Sequence, residues 1–144
     1  MIREAAESDI QRILEIERAA ISPPWTHGGL LSEIYNDDSL FALATQGDAV
    51  IGFIILRRTA DEGELLQIAV DAAHRHSGAA DKLMGAAMCW ARDHWISSVY
   101  LEVRESNDAA IALYAKHGFE KVGQRREYYT EPAEGAVIMA RAIC

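Results

Sequence analysis

The sequence predicts a mixed α/β fold in which helices pack on a twisted sheet. Short apolar runs of strand character alternate along the chain with longer segments whose apolar residues recur at helical spacing. Turn-forming residues separate these segments, and no repeat, long linker or low-complexity stretch interrupts them. With 144 residues, 50% of them hydrophobic, the chain is long enough for one domain over residues 1–144 with a substantial core.

The first half of the chain predicts a short strand, two helices and three further strands. Ile10, Ile13 and Leu14 form one apolar face of the first helix, and the two prolines that follow end it because neither can continue a helix. Residues 46–48, Gln-Gly-Asp, predict a hairpin turn. The predicted elements, in order, are a strand at 2–5, a helix at 8–20, a helix at 26–34 capped by Thr26, and strands at 40–45, 49–57 and 64–70.

The second half predicts two more helices and three more strands. An apolar stripe along the first of these helices is typical of core packing. The stripe consists of Leu83, Met84, Ala87, Met88 and Ala91. Gly118 is well placed to end the last helix in a left-handed conformation. The predicted elements are a helix that opens after Gly78, a strand at 99–103, a helix at 107–116, and strands at 119–124 and 136–141.

Charge and composition narrow the class of partner. The formal net charge of −8 disfavours nucleic acid and is compatible with a cationic substrate, although ordinary solubility explains it as well. No apolar stretch is long enough to cross a membrane, and the chain begins with a polar segment rather than a signal sequence. We expect Cys89 to be buried. The two cysteines lack metal-ligand spacing, which indicates reduced thiols. We therefore expect a cytoplasmic protein.

A turn rich in small residues is a candidate phosphate site. An apolar strand leads into residues 75–80, Arg-His-Ser-Gly-Ala-Ala, which open a helix. The first backbone N–H groups of a helix have no partner within it, and Gly78, Ala79 and Ala80 leave them accessible to a pyrophosphate. Arg75 and His76 add positive charge. Small residues at a helix start are also common where nothing binds.

Glu102 is a candidate general base. Strand alternation places Tyr100, Glu102 and Arg104 on one face of the predicted strand at 99–103 and apolar residues on the other. A carboxylate in the middle of a sheet strand is unusual because its burial costs free energy unless it is paired or solvated. A salt bridge or a hydrated sheet face explains it without any role in catalysis. The functional interpretation is a base that acts directly or through water.

Tyr114 is a candidate general acid. A tyrosine of ordinary pKa, about 10, can protonate a leaving thiolate whose conjugate acid has a pKa of about 8.5. Its alternative role is that of an amphipathic core tyrosine. Asn107 lies about two turns earlier on the same side of the helix and, on its own, predicts a helix cap.

The segment 125–129, Arg-Arg-Glu-Tyr-Tyr, combines charges and aromatic rings just after a predicted strand. Exposed tyrosines on loops often contact partners, and a solvated turn with aromatic packing is the alternative. His27, His94 and His117 do not share ligand spacing. His74 and His76 lie two residues apart in a loop, where a zinc site is the alternative, and we predict no metal.

Several of these motifs match a known family. Residues 67–71, Gln-Ile-Ala-Val-Asp, correspond to Asn-Ile-Ala-Val-Asp in its members, and 101–107, Leu-Glu-Val-Arg-Glu-Ser-Asn, and 110–114, Ala-Ile-Ala-Leu-Tyr, match almost letter for letter. Matches also occur at Gly118-Phe119, at Arg125-Arg126, at Tyr128-Tyr129, and at Pro24-Trp25 in the family's substrate loop. On these motifs the chain resembles the GNAT N-acetyltransferase superfamily, RimI type, over nearly its whole length.

The resemblance implies the GNAT fold, a mixed, mostly antiparallel sheet of about six to seven strands with about four helices on both faces, splayed between strands 4 and 5. It implies acetyl-CoA as cosubstrate. The backbone of the fourth strand would pair with the pantetheine arm, the turn would hold the pyrophosphate, and Asn107 would contact the cofactor from the next helix. The implied cofactor residues are Ile68, Ala69, Val70, Arg75, His76, Ser77, Gly78, Ala79, Ala80, Asp81 and Asn107.

The resemblance also implies the reaction. Glu102 would take a proton from the substrate ammonium and Tyr114 would protonate the departing thiolate. The acceptor would be the N-terminal α-amine of a protein, a ribosomal protein in the RimI type. The implied acceptor-side residues are Trp25, Arg125, Tyr128 and Tyr129. No nucleic-acid or membrane partner is expected, and a monomer and a homodimer both remain open.

One residue departs from the family pattern. Relatives follow the glycine turn with a basic residue, whereas this chain has Asp81, which would repel a pyrophosphate unless it points away or Lys82 compensates. Two other functions therefore stay open. One is acetylation of a small-molecule amine, and the other is a CoA-binding module with weak or no catalysis.

Overall fold

The computed structural model describes residues 1–20, 25–130 and 133–143. Four α-helices and seven β-strands lie within these ranges. The strands are β1 Ile2–Glu4, β2 Ser39–Gln46, β3 Ala49–Thr59, β4 Glu62–Val70, β5 Ser98–Arg104, β6 Glu120–Thr130 and β7 Ala133–Ala142. The helices are α1 Ile10–Ala20, α2 His27–Ile34, α3 Ala79–Asp93 and α4 Asp108–Lys116.

The described strands form one sheet in the order β1-β2-β3-β4-β5-β7-β6. Neighbouring strands run antiparallel except β4 and β5, which run parallel. The chain makes the parallel connection through α3, because two parallel neighbours need a crossover rather than a hairpin. This sheet confirms the predicted mixed, mostly antiparallel fold.

The helices cover both faces of the sheet. On one face α1 and α2 bury Ile13, Ile16 and Leu30 against alternate residues of β2 and β3. On the other face α3 buries its predicted stripe together with Tyr114 of α4. The alternation of β3 explains this division, since Phe53 and Ile55 face α1 while Ile54 and Leu56 face α3. The apolar run of β3 is therefore continuous because its two faces pack against two different cores.

A bulge in β4 shapes the region that matters for function. Ile55 of β3 pairs with Gln67, whereas the next residue, Leu56, pairs with Leu65, so that Leu66 is an extra residue without a partner position. A bulge bends its strand and increases the local twist. The parallel pairing of β4 with β5 is confined to the three positions 62–64, opposite 98–100. Beyond them the two strands diverge, which confirms the splay between strands 4 and 5.

Two local expectations are wrong. Residues 125–129 do not follow a strand but lie within β6, because an irregular register between Arg125 and Tyr129 lets the hairpin with β7 continue to Thr130. Charges and a bulge hide the strand periodicity there. Cys89 is exposed rather than buried, since it lies off the apolar stripe of α3.

Among the helices of the described ranges, none combines the length and the apolar character that crossing a bilayer requires.

Gly52 of β3 allows β4 to approach closely at the end where β4 leaves β5. A Cβ atom at Gly52 would lie 2.9 Å from the carbonyl oxygen of Ala69. We expect Gly52→Ala to lower the free energy of unfolding by about 1–3 kcal/mol, because backbone atoms would have to move. Urea denaturation measures this change.

The matched control is Gly85→Ala on α3, where a Cβ would meet no neighbouring atom. That substitution should raise the free energy of unfolding by about 0.5–1 kcal/mol through helix propensity. Equal midpoints for Gly52→Ala and the unmodified protein would contradict the close approach.

Candidate active site

The diverging halves of β4 and β5 enclose an open cleft of about 380 Å³. Residues from both strands, from the start of α3, from α4 and from the segment before α2 line it. Nine of the predicted site residues belong to this lining: Trp25, Ile68, Ala69, Val70, Ala80, Glu102, Asn107, Tyr114 and Tyr129. Parts of the chain that are far apart in sequence therefore meet at one site.

The edge of β4 that faces the cleft has no strand beside it from Leu65 to Val70. Both strands lie entirely within the described residues. The β4 backbone N–H and C=O groups that would bond to a neighbouring strand in a complete sheet therefore point into the cleft. An exposed strand edge is a template for another extended group with alternating donors and acceptors. Ile68 and Val70 pack toward α3, while Ala69 faces α1. The edge is therefore rigidly held on both faces but free along its side.

Glu102 lies on β5 between two cavities. It lines the cleft and also a smaller pocket of about 190 Å³ on the other side. Its carboxylate is half-buried, with Oε1 3.3 Å from Nε of Arg125. As a hydrogen-bond acceptor it raises the pKa of the Tyr128 phenol, with burial as the second cause. The ion pair with Arg125 is the salt bridge that the sequence offered as the non-catalytic explanation of Glu102. The carboxylate also lines both cavities.

Tyr114 lies on α4 with its side chain directed into the core beneath the cleft. It is 8% exposed, and its ring centroid lies 6.1 Å from that of Phe119. Burial, with a smaller contribution from Tyr129, raises the pKa of Tyr114 to about 12. The phenol is therefore protonated at neutral pH.

Tyr129 and Arg104 form the wall of the cleft opposite β4. The Arg104 guanidinium lies 4.2 Å from the centre of the Tyr129 ring, and its Nη1 lies 3.2 Å from Glu134 of β7. Burial is the largest cause of the raised pKa of Tyr129. Stacking of this kind fixes the ring orientation, so Tyr129 presents a defined surface to the cleft.

The turn before α3 has the backbone geometry expected of an anion site. His76 and Gly78 have φ values of 64° and 85°, both left-handed. Left-handed residues in such a turn curl successive N–H groups toward a common point, next to the free N–H groups of the helix start. Gly78 tolerates this φ because it has no Cβ.

The predicted turn residues do not all reach the cleft. Ala80 lines it, whereas Ser77 and Ala79 border a separate cavity of about 110 Å³ beside Met1. Arg75 and His76 are exposed. The turn thus stands at the mouth of the cleft, where a charged group at the end of a long ligand would lie.

Asp81 is held away from the turn by α4. Its two carboxylate oxygens lie 2.8 Å from Nε2 of His117 and 3.0 Å from Nζ of Lys116. The hydrogen bonds to His117 and then Lys116 lower the pKa of the Asp81 carboxyl. Of the possibilities considered from sequence, the side chain therefore points away, and its charge is balanced before any anion arrives.

Asn107 and Trp25 both line the cleft. Asn107 caps α4, since its Oδ1 accepts a hydrogen bond from the backbone N–H of Ala110 at 3.1 Å. The predicted cap is confirmed, and the contact with a cofactor remains a prediction. Trp25 is partly buried against the α1 and α2 core. Pro24, its partner in the sequence motif, lies outside the described residues.

Several lining residues were not predicted from the sequence. These are Leu66, Gln67, Val103, Arg104, Ala110 and Leu113. A polar Gln67 within an otherwise apolar strand was the available signal, because a buried amide needs a reason to be there. The others are apolar or charged residues that line the cleft because of the bulge in β4, the divergence of β5 and the packing of α4, which no sequence period records.

In the described part of the chain, no three side chains of His, Cys, Asp or Glu come together as metal ligands would.

Comparisons with known proteins identify the fold and its chemistry. Residues 10–119 match the acetyltransferase (GNAT) family. A [ribosomal protein bS18]-alanine N-acetyltransferase of Haemophilus ducreyi is 39% identical over 97% of this chain and 98% of its own length.

Solved structures agree. The ribosomal-protein-S18-alanine N-acetyltransferase from Escherichia coli superimposes with a TM-score of 0.91 at 32% identity, covering 99% of this chain and 93% of that one. The PaiA N-acetyltransferase from Thermoplasma acidophilum, solved in complex with coenzyme A, has a TM-score of 0.84 at 22% identity, covering 99% of this chain and 98% of that one, and shows a shared fold.

The position of Asp81 generates a prediction. Because its carboxylate already pairs with Lys116 and hydrogen-bonds with His117, we expect Asp81→Asn to change the dissociation constant of coenzyme A by less than about twofold. Isothermal titration calorimetry measures it. Gly78→Val is the contrasting variant, since a β-branched residue is strained at a φ of 85° and should weaken binding by about tenfold or more. Clearly tighter binding by Asp81→Asn would show that the repulsion is felt.

Proposed function

This chain belongs to the GNAT acetyltransferase family, and from that premise we propose that it transfers the acetyl group of acetyl-CoA to the N-terminal α-amine of a protein. One observation carries the proposal. The open edge of β4, the half-buried Glu102 and the buried Tyr114 all border a single cleft. Such an arrangement can hold an extended thioester on one side while a base and an acid act on the other.

We propose that the cleft binds acetyl-CoA along β4. The pantetheine arm carries two amides in an extended chain, so it can pair with the backbone of residues 68–70 as a missing strand would. The pyrophosphate then lies at the turn of residues 76–81, where N–H groups and the start of α3 favour negative charge. Asn107 flanks the cofactor from α4. The thioester would lie beyond Ile68, between the strands.

The proposed reaction is direct attack by the amine on the thioester. Glu102 takes one proton from the substrate ammonium, directly or through water, and passes it to solvent. The amine nitrogen forms a bond to the acetyl carbon, the carbon–sulfur bond breaks, and the thiolate takes the Tyr114 proton. The proton shed by the new amide nitrogen restores the phenol, so that one proton leaves per turnover. A backbone N–H on the open edge of β4 would stabilise the carbonyl oxygen as its charge develops.

The two cavities at Glu102 support separate entry of the two substrates. A thioester in the cleft and an amine in the smaller pocket would both reach the same carboxylate. Glu62 and Glu64 add negative charge to the smaller pocket, which suits a cationic acceptor. Arg125 now places a cation 3.3 Å from Glu102, and a substrate ammonium would take over that position.

An α-amine fits this chemistry better than a lysine. Its pKa is about 8, whereas that of lysine is about 10.4, so exposing the lone pair of lysine at neutral pH needs roughly 3 kcal/mol more. The half-buried carboxylate of Glu102 is the group in the cleft lining that would have to remove this proton. Because the relatives from Haemophilus ducreyi and Escherichia coli are named as alanine N-acetyltransferases of a ribosomal protein, bS18 or S18, we propose a ribosomal N-terminus as the natural acceptor.

The class of acceptor is tested by comparing three amines with acetyl-CoA. We expect a peptide with a free N-terminal alanine to be acetylated at least about tenfold faster than the same peptide with a blocked N-terminus and an internal lysine, because the α-amine is more often neutral. Mass spectrometry locates the acetyl group. A polyamine serves as the third acceptor. A faster reaction with the polyamine than with the free peptide would contradict the proposal and favour a small-molecule enzyme.

The role of Glu102 is tested by its amide. We expect Glu102→Gln to lower kcat/KM by about 100-fold at pH 7, because the ammonium loses its proton acceptor. The loss should shrink toward pH 9, where most of an α-amine of pKa about 8 is already neutral. Glu120→Gln, on exposed β6, removes the same charge away from the cleft and should leave the rate unchanged. A pH–rate profile for Glu102→Gln parallel to that of the unmodified enzyme would exclude Glu102 as the base.

A further inference from the structure

The smaller pocket beside Glu102 carries more negative charge than one amine can balance. It has a volume of about 190 Å³, and the carboxylates of Glu62, Glu64 and Glu102 line it. Arg125 pairs with Glu102, whereas Glu62 and Glu64 form no ion pair and no side-chain hydrogen bond with any described residue. An acceptor ammonium in the place of Arg125 would engage Glu102 alone. The other two carboxylates would then still lack a cation.

These two carboxylates lie on a face of the sheet that the helices leave open. Gly63, between them in β4, faces the α3 core, because a Cβ atom there would lie 3.3 Å from the side chain of Val99. Strand alternation therefore turns Glu62 and Glu64 to the opposite face. The core that α1 and α2 form on that face begins at Leu66 in β4 and, among the described residues, contains none of β5. Both carboxylates are accordingly exposed.

The strand register determines how far each carboxylate lies from Glu102. Glu64 lies opposite Tyr100, which precedes Glu102 by two residues. Glu62 lies opposite Ser98, a further two residues away. With about 3.3 Å per residue along a strand and about 4.8 Å between strands, the Cα atom of Glu64 is about 8 Å from that of Glu102, and the Cα atom of Glu62 is about 14 Å from it. Glu64 is therefore close enough to bind the same acceptor molecule as Glu102.

The rest of the lining suits the stem of a long cationic side chain. Tyr100 is 36% exposed on the same face, and Leu101 and Ile138 also line the pocket. Arginine and lysine lay their methylene groups along apolar surface while the charged end meets polar groups. A guanidinium can in addition stack on a tyrosine ring. The pocket thus combines apolar walls with two carboxylates that have no cationic partner.

We propose that Glu64 is a specificity-determining residue that selects acceptors with a cationic side chain at their second residue. The inference rests on the proposed transfer to a peptide N-terminus and specifies which N-termini react. With the α-amine at Glu102, the second Cα atom lies about 3.8 Å beyond the first, and a long side chain covers the remaining distance to Glu64. Glu62 is too far from Glu102 for that side chain and attracts cations further along the peptide.

The test compares three peptides that begin with alanine and differ only at the second residue, which is arginine, glutamine or glutamate. Arginine serves as the cation because its guanidinium stays protonated and does not compete as a nucleophile. With the unmodified enzyme, we expect kcat/KM for the arginine peptide to exceed that for the glutamine peptide by about fivefold, and the glutamate peptide to be the slowest. Added salt should reduce the preference because it screens the charges.

Two variants of Glu64 separate recognition from a structural role. Glu64→Gln should reduce the preference for arginine to less than about twofold, and Glu64→Lys should reverse it, so that the glutamate peptide reacts faster than the arginine peptide. Glu4→Lys, exposed on β1 at the far edge of the sheet, makes the same charge change away from the pocket and should keep the original order. Equal rates for the three peptides with the unmodified enzyme, or an unchanged order in Glu64→Lys, would overturn the assignment, as would equal slowing of all three peptides.

If the unmodified enzyme acetylates none of the peptides, the proposed function fails, and Glu64 is judged by binding alone. The arginine and glutamine peptides are then titrated into ¹⁵N-labelled protein with coenzyme A present, and the amide chemical shifts give the dissociation constants. Tighter binding of the arginine peptide that is lost in Glu64→Gln and kept in Glu4→Lys supports the assignment. Equal binding of the two peptides, or equal effects of the two variants, overturns it.

Discussion

The incomplete pairing of β4 with β5 is the constraint on which the site depends. Three paired positions hold the strands together at one end, and the bulge at Leu66 bends β4 away from β5 beyond them. The unpaired edge cannot be filled by a side chain, because only another extended backbone-like group offers donors and acceptors at the same spacing. Helices on both faces hold this edge in place.

Glu102 and Tyr114, the two ionisable groups proposed for the reaction, have different surroundings. Glu102 lies at the junction of two cavities, half-buried, with Oε1 3.3 Å from Nε of Arg125. Tyr114 lies in the core, where burial raises its pKa to about 12 and preserves the phenol. Acyl transfer from a thioester to an amine requires a group that removes a proton from the ammonium and a protonated group that can serve the departing thiolate.

Much of this was predictable from the sequence, and the rest shows where local patterns fail. The apolar runs and helical stripes predicted the sheet and both helical layers, because burial on two faces imposes those periods. The matched motifs around Glu102 and Tyr114 predicted residues that do meet in one cleft. The pairing of Asp81 with His117 was not predictable, since it joins α3 to the end of α4 through tertiary packing. The strand character of residues 125–129 was hidden because a shifted register breaks the alternation.

The most direct test is to locate bound coenzyme A on the protein by amide chemical shifts. In a titration of ¹⁵N-labelled protein with coenzyme A, the largest changes should fall on the backbone amides of residues 66–70 and 76–81, with Asn107 also affected. The amides of β1, at the far edge of the sheet, should stay unchanged. Large changes elsewhere, with the amides of β4 unmoved, would show that the open strand edge does not hold the cofactor and would contradict the proposed site.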